Sequence, residues 1–561
     1  MQVVARNSET FDAVIVGSGA TGGWAAKLLS ESGMRVCVLE AGPPVTEADF
    51  TEHVQPYALK YRGRSPEIAR NRPVQSLKYA CRESNYKWFV DDIENPYTTP
   101  DDKPFQWTRG RILGGRSLTW ARQSYRLSDY EFKSASRDGY GIDWPFSYED
   151  IAPYYDRVER YVGVSGSADG LKQLPDSVFM PPMGMTCGEK FFVGKVKEKL
   201  DRDVIIGRAA IVTRQHNGRA ACHYCGPCEQ GCITYSYFSS PFTTLKDALA
   251  TGRTEIRTDS VAYEILTDKN SGLASGIAYV DRRTRVPREV RGKIVLLCAS
   301  TLESTRLLML TSKDFANSSG AVGHYLADHV TGYTSGVLPF QDKKRWTGAP
   351  NRPNGLYVPR FRNLDRAHTN GMIRGYAYQA GNGHSYGNAE AIGRVSGFGA
   401  QFKKAARKID ETRFRFSSSC ETLPRYDNYV ELDKNVTDAW GIPALRIHAS
   451  WCDNDLKLRR DAIESAEEML HAAGARDISS ESVVTTPGGR THEVGTARMG
   501  EDPKRSVLNG YAQSHDVKNL FITDGAAFTT VASQNPTLTM MAVTMRACDY
   551  IIDKQKRGEL A

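Results

Sequence analysis

Four cysteines, Cys222, Cys225, Cys228 and Cys232, fall within eleven residues in the stretch CHYCGPCEQGC, and only seven others occur among 561 residues. Thiolates this close in sequence can wrap one soft metal centre, and the C-x2-C-x2-C-x3-C spacing is one that holds iron–sulfur clusters. In two-cluster ferredoxins the fourth cysteine of such a run serves the other cluster and a proline follows it. Here Ile233 follows Cys232, and there is no second run. The four cysteines therefore bind one centre, or three of them bind it with a distant residue such as Cys187 completing the set. A structural zinc knuckle competes with this reading, as do reduced thiols packed in a loop. Zinc fingers, however, use two separated ligand pairs, whereas this run is continuous and His223 stands out of step with it. An iron–sulfur centre passes electrons singly, so one-electron traffic is the first chemical expectation.

A second group of residues is suited to phosphate. Gly17-x-Gly19-x-x-Gly22 lies between FDAVIVG at 11–17, a β-branched apolar run that reads as a buried strand, and ATGGWAAKLLSESG, which has helical periodicity. MRVCVLEAG at 34–42 reads as the next strand, and Glu40 ends it. Glycines in this turn let the backbone approach a pyrophosphate seated on the helix N-terminus, and an acid about 20 residues on accepts from a ribose hydroxyl. Strand, turn, helix, strand and acid in this order predict dinucleotide binding. The fingerprint alone does not separate NAD from FAD.

Composition sets wide bounds. The chain is long enough for more than one domain, and the net charge of +8 is 73 basic against 65 acidic residues. No Lys/Arg run of five or more occurs, which argues against nucleic-acid binding. Cys37 and Cys298 lie in apolar strand-like runs and, like the other scattered cysteines, read as small buried hydrophobes. MQVVARNSETFDAVIVG has one Arg and no apolar stretch of signal-peptide length, and runs such as IVLLCA at 294–299 are far too short to span a bilayer. The expectation is a soluble protein that, if exported, travels with a partner.

Further segments decide the cofactor. They are RGRILGGRSLTWARQSYRLSDYEF at 109–132 with its Gly114-Gly115 pair, RGKIVLLCASTLESTRLLMLTS at 291–312, THEVGTARMG at 491–500, and NLFITDGAAFTTVASQNPTLTMMAVTMRACDYI from 519. In this order they resemble the glucose-methanol-choline family of FAD oxidoreductases over nearly the whole chain. The resemblance implies an α/β fold: a Rossmann-type FAD-binding domain from residues 1–50, 105–135, 225–335 and 485–561, and an α+β substrate domain with an antiparallel sheet from 136–221 and 336–484. Residues 51–104 would form a lid or connecting segment, and 222–232 the cluster loop. NYVELDKNVTDAWGIPALRI at 428–447 is similar to the family's strand near the end of the substrate domain. By the same resemblance His492 matches the catalytic histidine and Asn535 its partner position. Gly114, Gly115, Ser117, Val261, Ala299, Asp524 and Pro536 would join Gly17, Gly19, Gly22 and Glu40 around FAD. Thr119 stands where some members carry a flavin-tethering histidine, which implies non-covalent FAD.

Removing a hydroxyl proton while hydride leaves the carbon suits a neutral imidazole, whose ordinary pKa is about 6.5. His492 would take that proton, and Asn535 would hold the oxygen. Asn535 also precedes Pro536 and an apolar-periodic helix, and so reads as an N-cap that would aim the helix's positive end at the flavin. His329, in GHYLADHV, reads as structural. GGWAAKLL, PYTTPDDKPFQWTRGRILGGRSLTWARQSYRLSDYEF and DWPFSYEDIAPYYDRVERYVG are similar to catalytic subunits of bacterial glucoside 3-dehydrogenases. Some FAD sugar dehydrogenases of the family carry an iron–sulfur cluster in a comparable insertion, beginning with adjacent cysteines, which leaves three-iron and four-iron clusters both open here. The resemblance thus implies oxidation of a sugar or glucoside hydroxyl, with C3 as the carbon. Electrons would pass through the cluster to a cytochrome c-type acceptor, and a small companion subunit would carry the export signal to the periplasm. A cytoplasmic location is the alternative. The rival functions are an oxygen-reducing sugar or alcohol oxidase with a structural metal at the cysteines, and a non-catalytic flavin- or metal-binding protein. Residues of GYAYQAGNGHSYGN at 375–388 could stack on and hydrogen-bond a pyranose.

Overall fold

The computed structural model describes residues 10–54, 58, 66–339, 354–365, 368, 371–382, 395–408 and 413–560. β1 (Thr10–Val16) is buried along Ala13–Val16, and its β-branched and apolar side chains suit a strand covered on both faces. It lies parallel to β2 (Val36–Leu39) on one side and to β7 (Pro287–Leu297) on the other. β4 (Thr254–Arg257) extends this sheet beyond β2, and β15 (Leu520–Ile522) pairs parallel with β7. β5 (Ser260–Thr267) and β6 (Ala274–Asp281) complete it as an antiparallel meander from β7. The helix Ala20–Glu31 follows β1 and packs beside the C-terminal helix Thr537–Lys556.

Four of the predicted cofactor residues share one topological property. Gly17, Glu40, Ala299 and Asp524 each follow the C-terminal end of a parallel strand, β1, β2, β7 and β15 respectively. Ligands of open α/β sheets bind outside those ends, so this sheet gathers residues more than 500 positions apart at one edge.

The second sheet has six strands in the order β14-β8-β11-β10-β9-β3. They are β3 (Ile205–Ile206), β8 (Tyr333–Val337), β9 (Leu356–Val358), β10 (Tyr376–Asn382), β11 (Arg413–Cys420) and β14 (Arg476–Ser480). All pairings are antiparallel. On β10, Tyr376, Tyr378 and Ala380 face a core with Phe192 of the helix Cys187–Leu200 and with Leu458, Ala462 and Ala466 of the helix Asp453–Ala472. The period of two then sends Gln379 to the opposite face. β12 (Tyr429–Thr437) and β13 (Pro443–His448), from the 428–447 segment, form a two-stranded ribbon of their own, outside that sheet. Its Val430, Leu445 and Ile447 pack with Phe105, Trp107 and Leu302.

Candidate active site and cysteine loop

A cavity of about 380 Å³ runs from the glycine turn to His492 and Asn535. Gly17, Gly19, Glu40, Gly115, Ser117, Val261, Ala299, Asp524 and Pro536 all line it. Gly22 and Gly114 are not among its lining residues. The glycines divide the work as a pyrophosphate cradle requires. Gly17 turns at φ +98°, and a Cβ there would lie 2.3 Å from the Cys298 carbonyl oxygen. A Cβ on Gly22 would fall 1.9 Å from the Gly17 oxygen, so this glycine allows helix and strand to pack. Gly19 is different: its nearest neighbour would be the Gly114 oxygen at 3.9 Å, leaving open space on the cavity side. A Cβ on Gly115 would lie 3.9 Å from Gly19 Cα, so the two glycine turns face each other across that space. Tight turn, close approach and helix packing are the three roles of the dinucleotide fingerprint, and the residues present fit FAD.

Glu40 is buried, and burial pushes its pKa up against hydrogen bonds from Ser18 and Gly42. One oxygen accepts from the Gly42 N–H at 2.7 Å and keeps a lone pair for a ribose hydroxyl, while the other accepts from both the hydroxyl and, at 3.3 Å, the N–H of Ser18. Ser117 spends its proton on the Gly114 carbonyl at 2.6 Å and accepts from Ser240 N–H at 3.1 Å, so it shapes the turn. Asp524 accepts from Ala526 N–H at 2.9 Å and from the Ser304 hydroxyl, and burial raises its pKa to about 6.

The structure brings His492 and Asn535 together, with Asn535 Nδ2 3.1 Å from His492 Nε2. Asn535 is not the helix N-cap. Pro536 takes that position with no side-chain cap bond, and the Pro536 carbonyl accepts from Met540 N–H at 3.0 Å. The Asn535 amide is engaged elsewhere, its Oδ1 accepting from Gln379 Nε2 at 2.9 Å. Pro536 and Thr537 line the cavity, so the helix still presents its N-terminus there.

His329, read from sequence as structural, touches His492 directly and determines its tautomer. His329 Nε2 lies 3.0 Å from the Ala532 carbonyl oxygen, which can only accept, so the proton of this ring is on Nε2. Burial and the nearby Arg490 charge push the pKa of His329 down to about 3, so its Nδ1 carries a bare lone pair. His492 Nδ1, 2.9 Å away, must therefore donate. Burial first, then His329, Arg490, Arg116 and Lys78, hold the His492 pKa well below its ordinary value. The neutral ring thus keeps Nε2 unprotonated, facing Asn535 and the cavity. A hydroxyl entering between them can donate to Nε2 while accepting from Asn535 Nδ2. The His492 N–H donates to Asp328 at 3.0 Å, which fixes the backbone as well.

Sequence reasoning missed Asp328, Lys78 and Arg116, read His329 as structural, and singled out the 375–388 stretch without assigning Gln379 within it. Lys78 is buried, which lowers its pKa to about 8, and its ammonium donates to the Gly489 carbonyl. Arg116 forms an ion pair with Glu493 at 3.0 Å. Only the basic character of the motif flanks hinted at this cationic lining.

The cysteine loop adjoins the cavity wall. Cys222, Cys228 and Cys232 pack over Met183, Ala209, Ile211 and Tyr237. Burial raises the Cys228 thiol to about 12 and the Cys225 thiol to about 11, and neighbouring cysteines add to both shifts. Several thiolates here need a cationic centre among them. Backbone N–H groups of Tyr224 and Ser236 point at Cys222 and Cys232 Sγ at 3.4 and 3.3 Å, the kind of donors that tune cluster sulfurs. These thiol donors suit a soft metal centre by type, but among the described residues no three of their sulfurs converge within 4.8 Å of one another. Cys187 is exposed at the start of its helix.

A Rossmann-type cavity ending at an unprotonated imidazole nitrogen defines a dinucleotide-dependent oxidoreductase. The chain belongs to the GMC oxidoreductase family, an FAD-binding family: residues 11–331 match its N-terminal model and 424–544 its C-terminal model. It is 30% identical to 2-methyl-1,2-propanediol dehydrogenase of Mycolicibacterium austroafricanum, over 97% of this chain and 96% of that one. It is 27% identical to the fructose dehydrogenase large subunit of Gluconobacter japonicus, over 98% of both. An R554K variant of Aspergillus oryzae formate oxidase shares the fold at a TM-score of 0.65 and 14% identity, over 99% of this chain and 100% of that one. The protein is an oxidoreductase acting on CH–OH groups.

Proposed function

We propose that this chain is an FAD-dependent sugar dehydrogenase that oxidises a secondary hydroxyl of glucose or a glucoside, at C3, to a 3-keto sugar. FAD, bound without a covalent tether, supplies the hydride acceptor. The chain's own task is to hold the hydroxyl and remove its proton. His492 Nε2 accepts that proton, and Asn535 Nδ2, held through Gln379, donates to the oxygen. The sugar class is supported by the fructose dehydrogenase relative, and C3 by the sequence stretches similar to glucoside 3-dehydrogenases. The 375–388 stretch considered for sugar stacking is described only to residue 382, and Gln379 is its contribution to the site.

We infer a one-electron exit through an iron–sulfur centre in the cysteine loop, leading to a cytochrome c-type acceptor. One observation carries this reading. Arg122 lines the cavity, stands over the Tyr237 ring at 5.4 Å, and its charge reaches the Cys228 thiol, so one residue joins both sites. A companion subunit with an export signal, placing the enzyme in the periplasm, agrees with a relative named as a large subunit. No described helix is long and apolar enough to cross a membrane. The test is a panel of glucose and glucosides with product analysis, together with iron and acid-labile sulfide counts. A 3-keto product and at least three irons per chain are expected. Iron-free protein that releases peroxide at the turnover rate would replace this reading with an oxidase.

A further inference from the structure

Two exposed histidines stand against the outer side of the cysteine loop. His53 Nε2 and His223 Nε2 are 3.3 Å apart, with the rings stacked at 5.1 Å between centroids. Cys225 Sγ and both ring nitrogens all lie within 4.8 Å of one another. Among the described residues this is the grouping of His, Cys, Asp and Glu side chains whose donor atoms converge to the spacing of a single ion. Cys225 is not among the cysteines packed over Tyr237, although Cys232 and Cys222 stand close enough to raise its thiol.

We propose that His53, His223 and Cys225 form a mononuclear site for a divalent ion of the zinc class, separate from the centre held by Cys222, Cys228 and Cys232. The spacing of the two histidine nitrogens matches tetrahedral coordination. Zinc–nitrogen bonds of about 2.0–2.1 Å at tetrahedral angles put two imidazole nitrogens about 3.3–3.4 Å apart. The His223 tautomer also suits a ligand: its Nδ1 faces Thr234 Oγ1 at 3.5 Å, and donation there leaves Nε2 bare. Glu52 supplies a carboxylate oxygen 3.8 Å from His53 Nε2, within a small shift of a fourth position that water fills otherwise. That same oxygen accepts from Ile233 N–H at 2.6 Å, which ties it to the residue after Cys232. Binding deprotonates Cys225, and the proton passes to solvent.

The backbone has already brought the partners together. Thr51 N–H donates to the Gln230 carbonyl at 2.9 Å, and the Phe50 ring occupies the space a Cβ on Gly231 would need. An ion at this site clips residues 50–54 onto the cysteine loop and covers the outer side of the cluster. The site stands on its own geometry and does not depend on the substrate or the cluster.

The test loads anaerobically purified holoprotein with zinc, removes loosely bound metal, and counts zinc, iron and FAD per chain in the parent and in His53→Ala/His223→Ala and Cys225→Ser. The parent is expected to hold one zinc per chain that both variants lose, with iron and FAD unchanged. Both histidines are exposed, so their removal leaves the fold intact, and FAD content verifies this. Zinc retained by the histidine variant, no zinc in the parent, or iron lost with Cys225→Ser would each overturn the proposal. Iron-free protein that keeps the histidine-dependent zinc would uphold it while removing the electron relay.

Discussion

Replacing His329 with Phe tests the proton wiring with little change of volume. The ring would still fill its space, but His492 Nδ1–H would lose its acceptor. A buried donor left without a partner costs about 1–3 kcal/mol. The ring can escape that cost by moving its proton to Nε2, which removes the base from the cavity side. Restoring the productive tautomer then requires about 1–3 kcal/mol, so the rate of substrate-driven flavin bleaching should fall about 5- to 150-fold. FAD content should not change, and apparent substrate affinity should hold within about threefold, since uniform binding is untouched. His329→Asn keeps an acceptor oxygen near the place of Nδ1 and should recover much of the rate. Anaerobic stopped-flow bleaching with a glucoside reads both variants. A Phe variant as fast as the parent, or an Asn variant no faster than Phe, would refute the tautomer argument.

Three further outcomes follow from the same geometry. Because His492 titrates well below pH 6.5, the acid limb of kcat/KM should lie below that value, and a limb centred at 6.5 would contradict the buried neutral ring. Both His329 and His492 have depressed folded pKa values, so their unfolded forms bind more protons below pH 6.5. Stability should be fully present above that pH and fall as pH drops, by about 1.4 kcal/mol per pH unit for each ring, as followed by denaturant unfolding. Gly19→Ala has open space for its Cβ and should fold normally yet lose FAD, whereas Gly22→Ala, 1.9 Å from a backbone oxygen, should lower Tm; FAD retention by the first or an unchanged Tm in the second would contradict the cradle.

The dinucleotide half was legible because its signals are local. β-Branched runs, a glycine spacing and an acid lie within residues 11–42, where strand, turn and helix are neighbours in sequence. His492 and Asn535 were legible by resemblance. Their supports were not, because these act across long separations: His329 reaches His492 over 163 positions, and Gln379 reaches Asn535 over 156. The N-cap reading of Asn535 followed from Asn-Pro before a helix and failed because two side chains compete for that amide. The cysteine spacing suggested a metal centre but gave no sign that His53, distant in sequence, would stand beside that loop.

The most direct test of the central claim is anaerobic addition of a glucoside to the FAD-loaded parent and to His492→Ala, with flavin bleaching followed in time. Rapid bleaching is expected in the parent, and bleaching slowed about 10²- to 10⁴-fold in the variant at unchanged FAD content. Equal bleaching rates in the two proteins would contradict it.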